Sequence, residues 1–488
     1  MSRSLYVKLH RRYGQRLTGS QRNARLRNHA ARARDFLPLD LLKSPPETGA
    51  SPGSVVVIGA GFAGLAASYV AKQLNFNVTI YEPGTKGGRV LSLQGASAFV
   101  PNRILEAGAE LIGLNHPVWL LLAKKFGLAL SVVTPEDDFA GAGLDMPLYL
   151  DGADRDSTQQ ERIYSEMKAV FHEFAKASEQ VRFWDPWNSP NAAGLDAQDL
   201  HTYIQRATKD RLIQMALEVE FEFNNAQPPS SQSWLANLAQ FAAGGGDDFF
   251  EDTEVFRCAA GNQTLAKNLA DSLPVVSGQV TNININAKGV TIEYQTNGSP
   301  STDPKRYDYV IVATSVAAAA NITINGQKGW LPQVNAGPAV KYLAHVDTRF
   351  WIQKGLAPSG MSDELGLTWE GTDNQMDTAD FDLSVFAGGR LAAKASKKGF
   401  QRPLSNLYGK VPMIDDLFQN WPALPNIGTG YSCPGPGQVT GAQQQYTTLG
   451  SRYDDRLFVA GEHTSPAWFG YMEGALQSGL IAAVRLPR

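Results

Sequence analysis

Residues 55–64 read Val-Val-Val-Ile-Gly-Ala-Gly-Phe-Ala-Gly, and the pattern continues through Leu65–Leu74 to Val78-Thr79-Ile80-Tyr81 and Glu82. A short β-branched apolar stretch, a glycine turn, a run of good helix formers, a second apolar stretch and an acid spell strand, turn, helix, strand. Gly59 permits the tight turn, Gly61 lets backbone approach a pyrophosphate, and Gly64 lets helix and strand pack closely; Ala63 belongs to the same motif. The helix start offers unpaired N–H groups to phosphate. Glu82 stands where an acid accepts ribose hydroxyls, which disfavours a 2′-phosphate, so the implied ligand is FAD or NAD rather than NADP.

Outward from this core the chain repeats the theme. Gly87-Gly88-Arg89-Val90 permits a second close backbone approach, and Arg89 offers a fork of donors to phosphate oxygens. A nicotinamide enzyme has no need of that second clamp. Arg456–Ala460 reads as a strand, followed by Gly461-Glu462-His463-Thr464-Ser465 and by Gly470-Tyr471-Met472-Glu473-Gly474-Ala475, which opens a final helix. Between these ends, Asn262 to Leu273 reads as a helix, 280–285 as a strand with 290–294 as its hairpin partner, and Tyr309–Thr314 as a buried strand.

Composition narrows the class. The chain of 488 residues is 43% hydrophobic and 19% charged, which suits a globular protein of more than one domain. No apolar run is long enough to predict a transmembrane helix. Two cysteines, Cys258 and Cys433, exclude a disulfide scaffold and a thiolate metal site, and the seven histidines show no metal-ligand spacing. Residues 1–50 hold nine Arg and two Lys against three acids, a balance of +8 that leaves −11 on the remainder. An acidic body disfavours nucleic-acid binding and favours cations. The arm itself reads as solvated and partly helical, packed on the body or on a partner subunit, with 44–54 as a linker. A cytoplasmic location is expected, with export or peripheral membrane association left open.

Together the glycine turn, the Gly-Gly-Arg segment and the carboxyl-terminal Gly-Tyr-Met turn resemble the FAD-dependent amine oxidase family, which includes monoamine, polyamine and L-amino acid oxidases. The resemblance implies an α/β fold: a discontinuous Rossmann-like FAD-binding domain (GR2-type) with an α+β substrate-binding domain. The expected division is a basic arm and linker at 1–53, the FAD-binding domain at 54–120, 251–320 and 430–488, and the substrate-binding domain at 121–250 and 321–429. It also implies cofactor contacts at Gly59, Gly61, Ala63, Gly64, Glu82, Gly88, Arg89, Gly108, Ala109, Glu110, Val280, Gly461, Glu462, Tyr471 and Met472. Val280 would meet adenine, Glu462 the ribityl chain and the Met472 amide the flavin ring. Lys341 matches the family lysine that holds a water against the flavin. Tyr431 and Tyr471 match an aromatic cage that aligns the amine, an arrangement suited to cation–π attraction. The position of the cysteine that binds FAD covalently in monoamine oxidases is Gly430 here, which predicts noncovalent FAD.

The implied activity is oxidative deamination of an L-amino acid to the imino or 2-oxo acid, with ammonia and hydrogen peroxide as products. Asn115-His116-Pro117-x-Trp119 and Phe126-Gly127-Leu128 look closest to bacterial amino acid oxidases and dehydrogenases. The alternatives are a primary-amine or polyamine oxidase and an amino acid dehydrogenase that reduces a quinone, so the electron acceptor is molecular oxygen or a quinone. Many L-amino acid oxidases anchor the substrate carboxylate with an arginine where this chain has Leu111. Beside it, Glu110 is expected near the flavin, facing a cationic substrate such as arginine or lysine. Trp187, Trp234, Phe241 and Trp369 are candidate pocket walls. No metal is expected, and a homodimer is possible.

Overall fold

In a computed structural model describing residues 4–376 and 379–488, five parallel strands carry the glycine turn at their carboxyl edge. They are β1 (Ser54–Ile58), β2 (Asn77–Glu82), β3 (Val275–Ser277), β4 (Tyr309–Val312) and β5 (Leu457–Val459). Their spatial order is β5-β4-β1-β2-β3, with Val55 opposite both Val78 and Tyr309. The Val and Ile runs of β1 and β4 suit a parallel sheet covered on both faces. The sheet is Rossmann-like, and its strands come from three well-separated stretches of sequence.

One face is covered by two helices that lie against each other. The helix Phe62–Gln73 follows the glycine turn, and the helix Met472–Val484 follows the Gly-Tyr-Met turn. They approach so closely that a Cβ on Gly479 would sit 2.2 Å from the Ala63 carbonyl oxygen. Small side chains at the crossing bring both helix starts to one place. The expected 262–273 helix is Gln263–Ala270, and the hairpin forms between Gln279–Asn286 and Gly289–Thr296.

The rest of the chain builds a seven-stranded mixed sheet and a group of helices beside it. Strand Ala339–Val346 lies second from one edge, between Met413–Asn420 and Phe381–Gly388, and every residue of it is buried. Helices Ser157–Ser178, Arg211–Asn225 and Trp234–Gly244 pack around an aromatic core that includes Phe171, Phe174, Phe221 and Phe241. Rings from different elements meet at 4.2–5.9 Å there, as in Phe174–Phe241 and Phe171–Phe241.

The amino-terminal arm is helical and packs on the body, as expected, but it is not solvated throughout. Its first helix, Leu5–Tyr13, is not solvated: Leu5, Tyr6, Val7 and Leu9 are buried in that same aromatic core. Its second helix, Gly19–Arg34, buries no residue and is started by a Thr18–Gln21 capping box. The basic charge meets acids of the body. Arg25 pairs with Asp248 at 2.8 Å, Glu251 at 2.7 Å and Asp252 at 2.9 Å, and His29 reaches Asp252 at 2.8 Å. Exposed pairs such as Arg16–Asp138 contribute little, but Asp252 is wholly buried and its charge needs the partner. The acidity expected to attract cations is therefore partly neutralised by the arm. No helix among the described residues is long and apolar enough to cross a membrane.

Candidate active site

The two helix starts open into one cavity between the parallel and the mixed sheets. At the first, Gly59 adopts φ +103°, which turns the chain from β1 into the helix. Gly64 lies inside the helix with no room for a side chain: its Cβ would stand 1.9 Å from the Gly59 carbonyl oxygen. Gly61 and Tyr471 cap the two helices without a side-chain hydrogen bond, which leaves first-turn N–H groups for a ligand. Glu82 accepts from the Ala60 N–H at 2.7 Å and the Gly84 N–H at 2.7 Å, fixing its carboxylate at the turn. Gly88 and Arg89 close the other side.

Glu462 ties the wall together. It accepts from Arg89 Nη1 at 2.8 Å, from the Gly470 N–H at 2.7 Å and from the Ser432 hydroxyl. One carboxylate thus joins the segment before Tyr471 to the segment after Tyr431. Burial opposes its charge, yet the Arg89 guanidinium holds its pKa below the ordinary value. Tyr431 donates its hydroxyl to the Phe223 carbonyl at 2.6 Å and lies nearly parallel to Phe386, with ring centres 6.5 Å apart. Tyr471 stands edge-on to Trp468 at 5.2 Å and to His116 at 5.6 Å. Burial keeps both phenols protonated and lowers His116 to about 3, so the cage is uncharged at neutral pH.

Lys341 enters from the mixed sheet. Its Nζ donates to Glu110 Oε2 at 2.7 Å and to the Glu106 carbonyl at 2.8 Å, and lies 5.2 Å from the Trp369 ring centre. Glu110 also receives Arg257 Nη2 at 2.5 Å and Trp369 Nε1 at 3.0 Å. Burial works against a charge on Glu110, but Arg257 first and Lys341 next bring its pKa down to about 2. The neighbouring acids behave oppositely: burial raises Glu106 to about 7 and Asp382 to about 8. One carboxylate, Glu110, therefore serves two cations.

Most of the sequence-derived candidates converge. Gly59, Gly61, Ala63, Glu82, Gly88, Arg89, Gly108, Ala109, Val280, Lys341, Tyr431, Gly461, Glu462, Tyr471 and Met472 all line the cavity. Four do not. Gly64 lies behind the turn, where it acts through packing. Glu110, expected to face a cationic substrate and the cofactor, is turned into its ion pairs instead. Leu111 is buried outside the cavity. Trp234 is core, stacked on Tyr203 at 4.0 Å and edge-on to Phe174 at 4.5 Å. Among the other expected walls, Phe241 is core, Trp187 lines a separate cavity, and Trp369 sits beneath Lys341. Sequence reasoning missed Phe386, Trp421 and Arg257. Trp421 lines the cavity and donates Nε1 to the Ala107 carbonyl at 3.1 Å, and none of the three lies in a recognisable motif.

The absent cysteine has a steric counterpart. A Cβ at Gly430 would lie 2.6 Å from the Ala339 backbone nitrogen and 2.8 Å from the Gly337 carbonyl oxygen, so no side chain fits there without backbone movement. Cys433 is buried outside the cavity, and burial raises its thiol pKa well above the usual value. No group of acids, histidines or cysteines among the described residues could hold a metal ion.

Residues 62–487 match the family model described as flavin containing amine oxidoreductase. An L-amino acid dehydrogenase of Synechocystis sp. is 22% identical, with 90% of this chain and 96% of that protein covered. A probable flavin-containing monoamine oxidase A of Dictyostelium discoideum is 23% identical, covering 87% and 95%. Among solved structures, putrescine oxidase bound to putrescine superposes with a TM-score of 0.74 at 17% identity, over 88% of this chain and 98% of that one. Cyclohexylamine oxidase from Brevibacterium oxydans gives 0.70 at 20%, with the same coverage.

Proposed function

Because the chain belongs to the flavin-containing amine oxidoreductase family, we propose that it holds FAD noncovalently and oxidises a primary amine that carries no carboxylate beside its nitrogen. The flavin supplies the redox chemistry, accepting a hydride equivalent from the carbon that bears nitrogen. The protein's part is to orient the amine, keep it neutral and exclude water. Two helix starts, the Gly88–Arg89 segment and Glu82 suit a dinucleotide, and the crowding at Gly430 supports noncovalent binding.

One observation carries the choice of substrate. The cations lining the cavity are Arg89 and Lys341, and each is already bonded to a carboxylate, Glu462 or Glu110. A substrate carboxylate would enter without a free partner, and burying an unpaired charge is costly. Tyr431, Tyr471 and Phe386 offer instead an apolar, uncharged slot for an alkyl or aryl amine. The L-amino acid reading rests on the sequence likeness of Asn115–Trp119 and needs a cation that the cavity keeps paired.

The test sets each amine against its carboxylated counterpart: isobutylamine with valine, phenethylamine with phenylalanine, putrescine with ornithine. Flavin bleaching without oxygen reports reduction, and peroxide release or quinone reduction in a second assay identifies the acceptor. The amines should react faster, and FAD should leave with the supernatant when the protein is denatured. Faster bleaching by the amino acids overturns the substrate assignment. Flavin retained on the denatured chain overturns the noncovalent one.

A further inference from the structure

The first arm helix reaches the back of the cage. Its first turn is received by two buried acids: the Ser4 N–H donates to Glu254 at 3.0 Å and the Tyr6 N–H to Glu220 at 3.0 Å. The same acids act on the cage electrostatically, Glu254 on both Tyr431 and Tyr471, Glu220 on Tyr471. Glu220 lies about one helical turn before Phe223, the residue that accepts the Tyr431 hydroxyl. On its other side the arm touches the lysine's surroundings: Lys8 Nζ donates to the Thr368 carbonyl at 2.8 Å, immediately before Trp369. Rings connect the rest, Tyr6 to Phe250 at 5.7 Å, Phe250 to Phe249 at 5.0 Å, and Phe249 to Tyr471 at 6.4 Å.

We propose that residues 4–8 form the outer wall of the amine chamber and set the length of substrate it accepts, so that the intact chain takes compact amines and refuses long ones. This assignment rests on the reading of the site as an amine-oxidising one. Behind the cage, Phe249 and Phe250 stand between the arm and Tyr471, and all of them belong to the same apolar cluster as Tyr431. A longer substrate must displace a helical turn whose Leu5, Tyr6 and Val7 are buried. It must also strip the Ser4 and Tyr6 N–H groups from the two buried carboxylates that accept them. The wall is fixed rather than hinged, because Arg11 donates to the Glu254 carbonyl at 2.5 Å and Arg25 is held by Asp248, Glu251 and Asp252.

The test compares the flavin-loaded wild type with Tyr6→Ala, using linear amines from propylamine to decylamine and the 2-amino acids of matching chain length. Flavin content and thermal melting are recorded for each protein. Opening the wall should raise the kcat/KM ratio of octylamine to butylamine at least tenfold while flavin content stays unchanged. Leu5→Ala, which leaves the ring contacts of Tyr6 in place, gives the same comparison should Tyr6→Ala lose flavin. An unshifted length ratio in both series, in a variant that keeps flavin and melts cooperatively, overturns the wall. A length ratio that shifts only among the amino acids keeps the wall and overturns the amine reading.

Discussion

Replacing one oxygen of Glu110 by nitrogen disturbs three neighbours at once. Arg257 and Lys341 would remain buried without their shared counter-charge, and Trp369 Nε1 would have to compete for the one oxygen left. Breaking a buried pair in this way costs about 3–5 kcal/mol. Glu110→Gln should therefore lower the unfolding free energy by a matching amount, read from the fall in the urea midpoint multiplied by the m-value; an unchanged midpoint would show that water already screens the cluster. Lys341→Met removes the cation that faces the cavity. It should slow flavin turnover at least tenfold while flavin stays bound, read by stopped-flow absorbance in both half-reactions; unchanged rates in both would remove Lys341 from the chemistry. Lys341 could be picked out by resemblance, but the fate of Glu110 was hidden. Its partners come from the Phe256–Cys258, Ala339–Val346 and Gly366–Glu370 strands, and side-chain pairing across that distance leaves no local pattern.

At the level of elements, the turn after β1 tolerates least. Gly64→Ala would drive a methyl group into the Gly59 carbonyl, 1.9 Å away, and push the helix off the sheet. The helix start would then lose its aim into the cavity. The expected outcome is protein purified without flavin, checked by the ratio of flavin to protein absorbance; a full complement of flavin in Gly64→Ala would mean that the turn can relax. This element was legible because glycine spacing encodes backbone constraint directly. The arm was not. Leu5, Tyr6, Val7 and Leu9 are a small apolar group inside an Arg-rich segment, and the surrounding charge made the whole read as solvated. Arg11 of the first arm helix is spent on the Glu254 carbonyl and Arg25 of the next on Asp248, Glu251 and Asp252, so the charge that suggested exposure is what fastens the arm. Trp234 erred the other way: a large aromatic ring is equally at home in a pocket or a core, and only its stacking on Tyr203 decides.

Across the whole molecule, buried acids set the response to pH. Burial raises Glu106, Glu220 and Glu473 to about 7 and Asp382 to about 8. The folded protein then holds more protons than the unfolded chain between the ordinary carboxyl pKa, roughly 4, and about 8. The stability set by these four acids falls as pH rises through that window, and His116 and His463, lowered by burial to about 3 and about 4, offset only part of it below the ordinary imidazole pKa. Glu110 has the opposite sign: its folded pKa is about 2, so the stability it contributes is present above the ordinary carboxyl range and lost as pH falls toward 2. The melting temperature at constant ionic strength should therefore peak near pH 5 and decline toward pH 9. A melting temperature that climbs from pH 5 to pH 8 would show that these acids ionise freely in the folded state.

The helix Met472–Val484 and strand β5 complete the cavity whose other half is built by β1 and its glycine turn. A ribosome makes the glycine turn well before these two elements. The nascent chain therefore carries an unfinished cradle until both have emerged, with the helix Phe62–Gln73 lacking the neighbour that packs at Gly479. A messenger cut short before Leu457 would yield a chain that contains every residue of the first glycine motif and yet only half of the cavity wall.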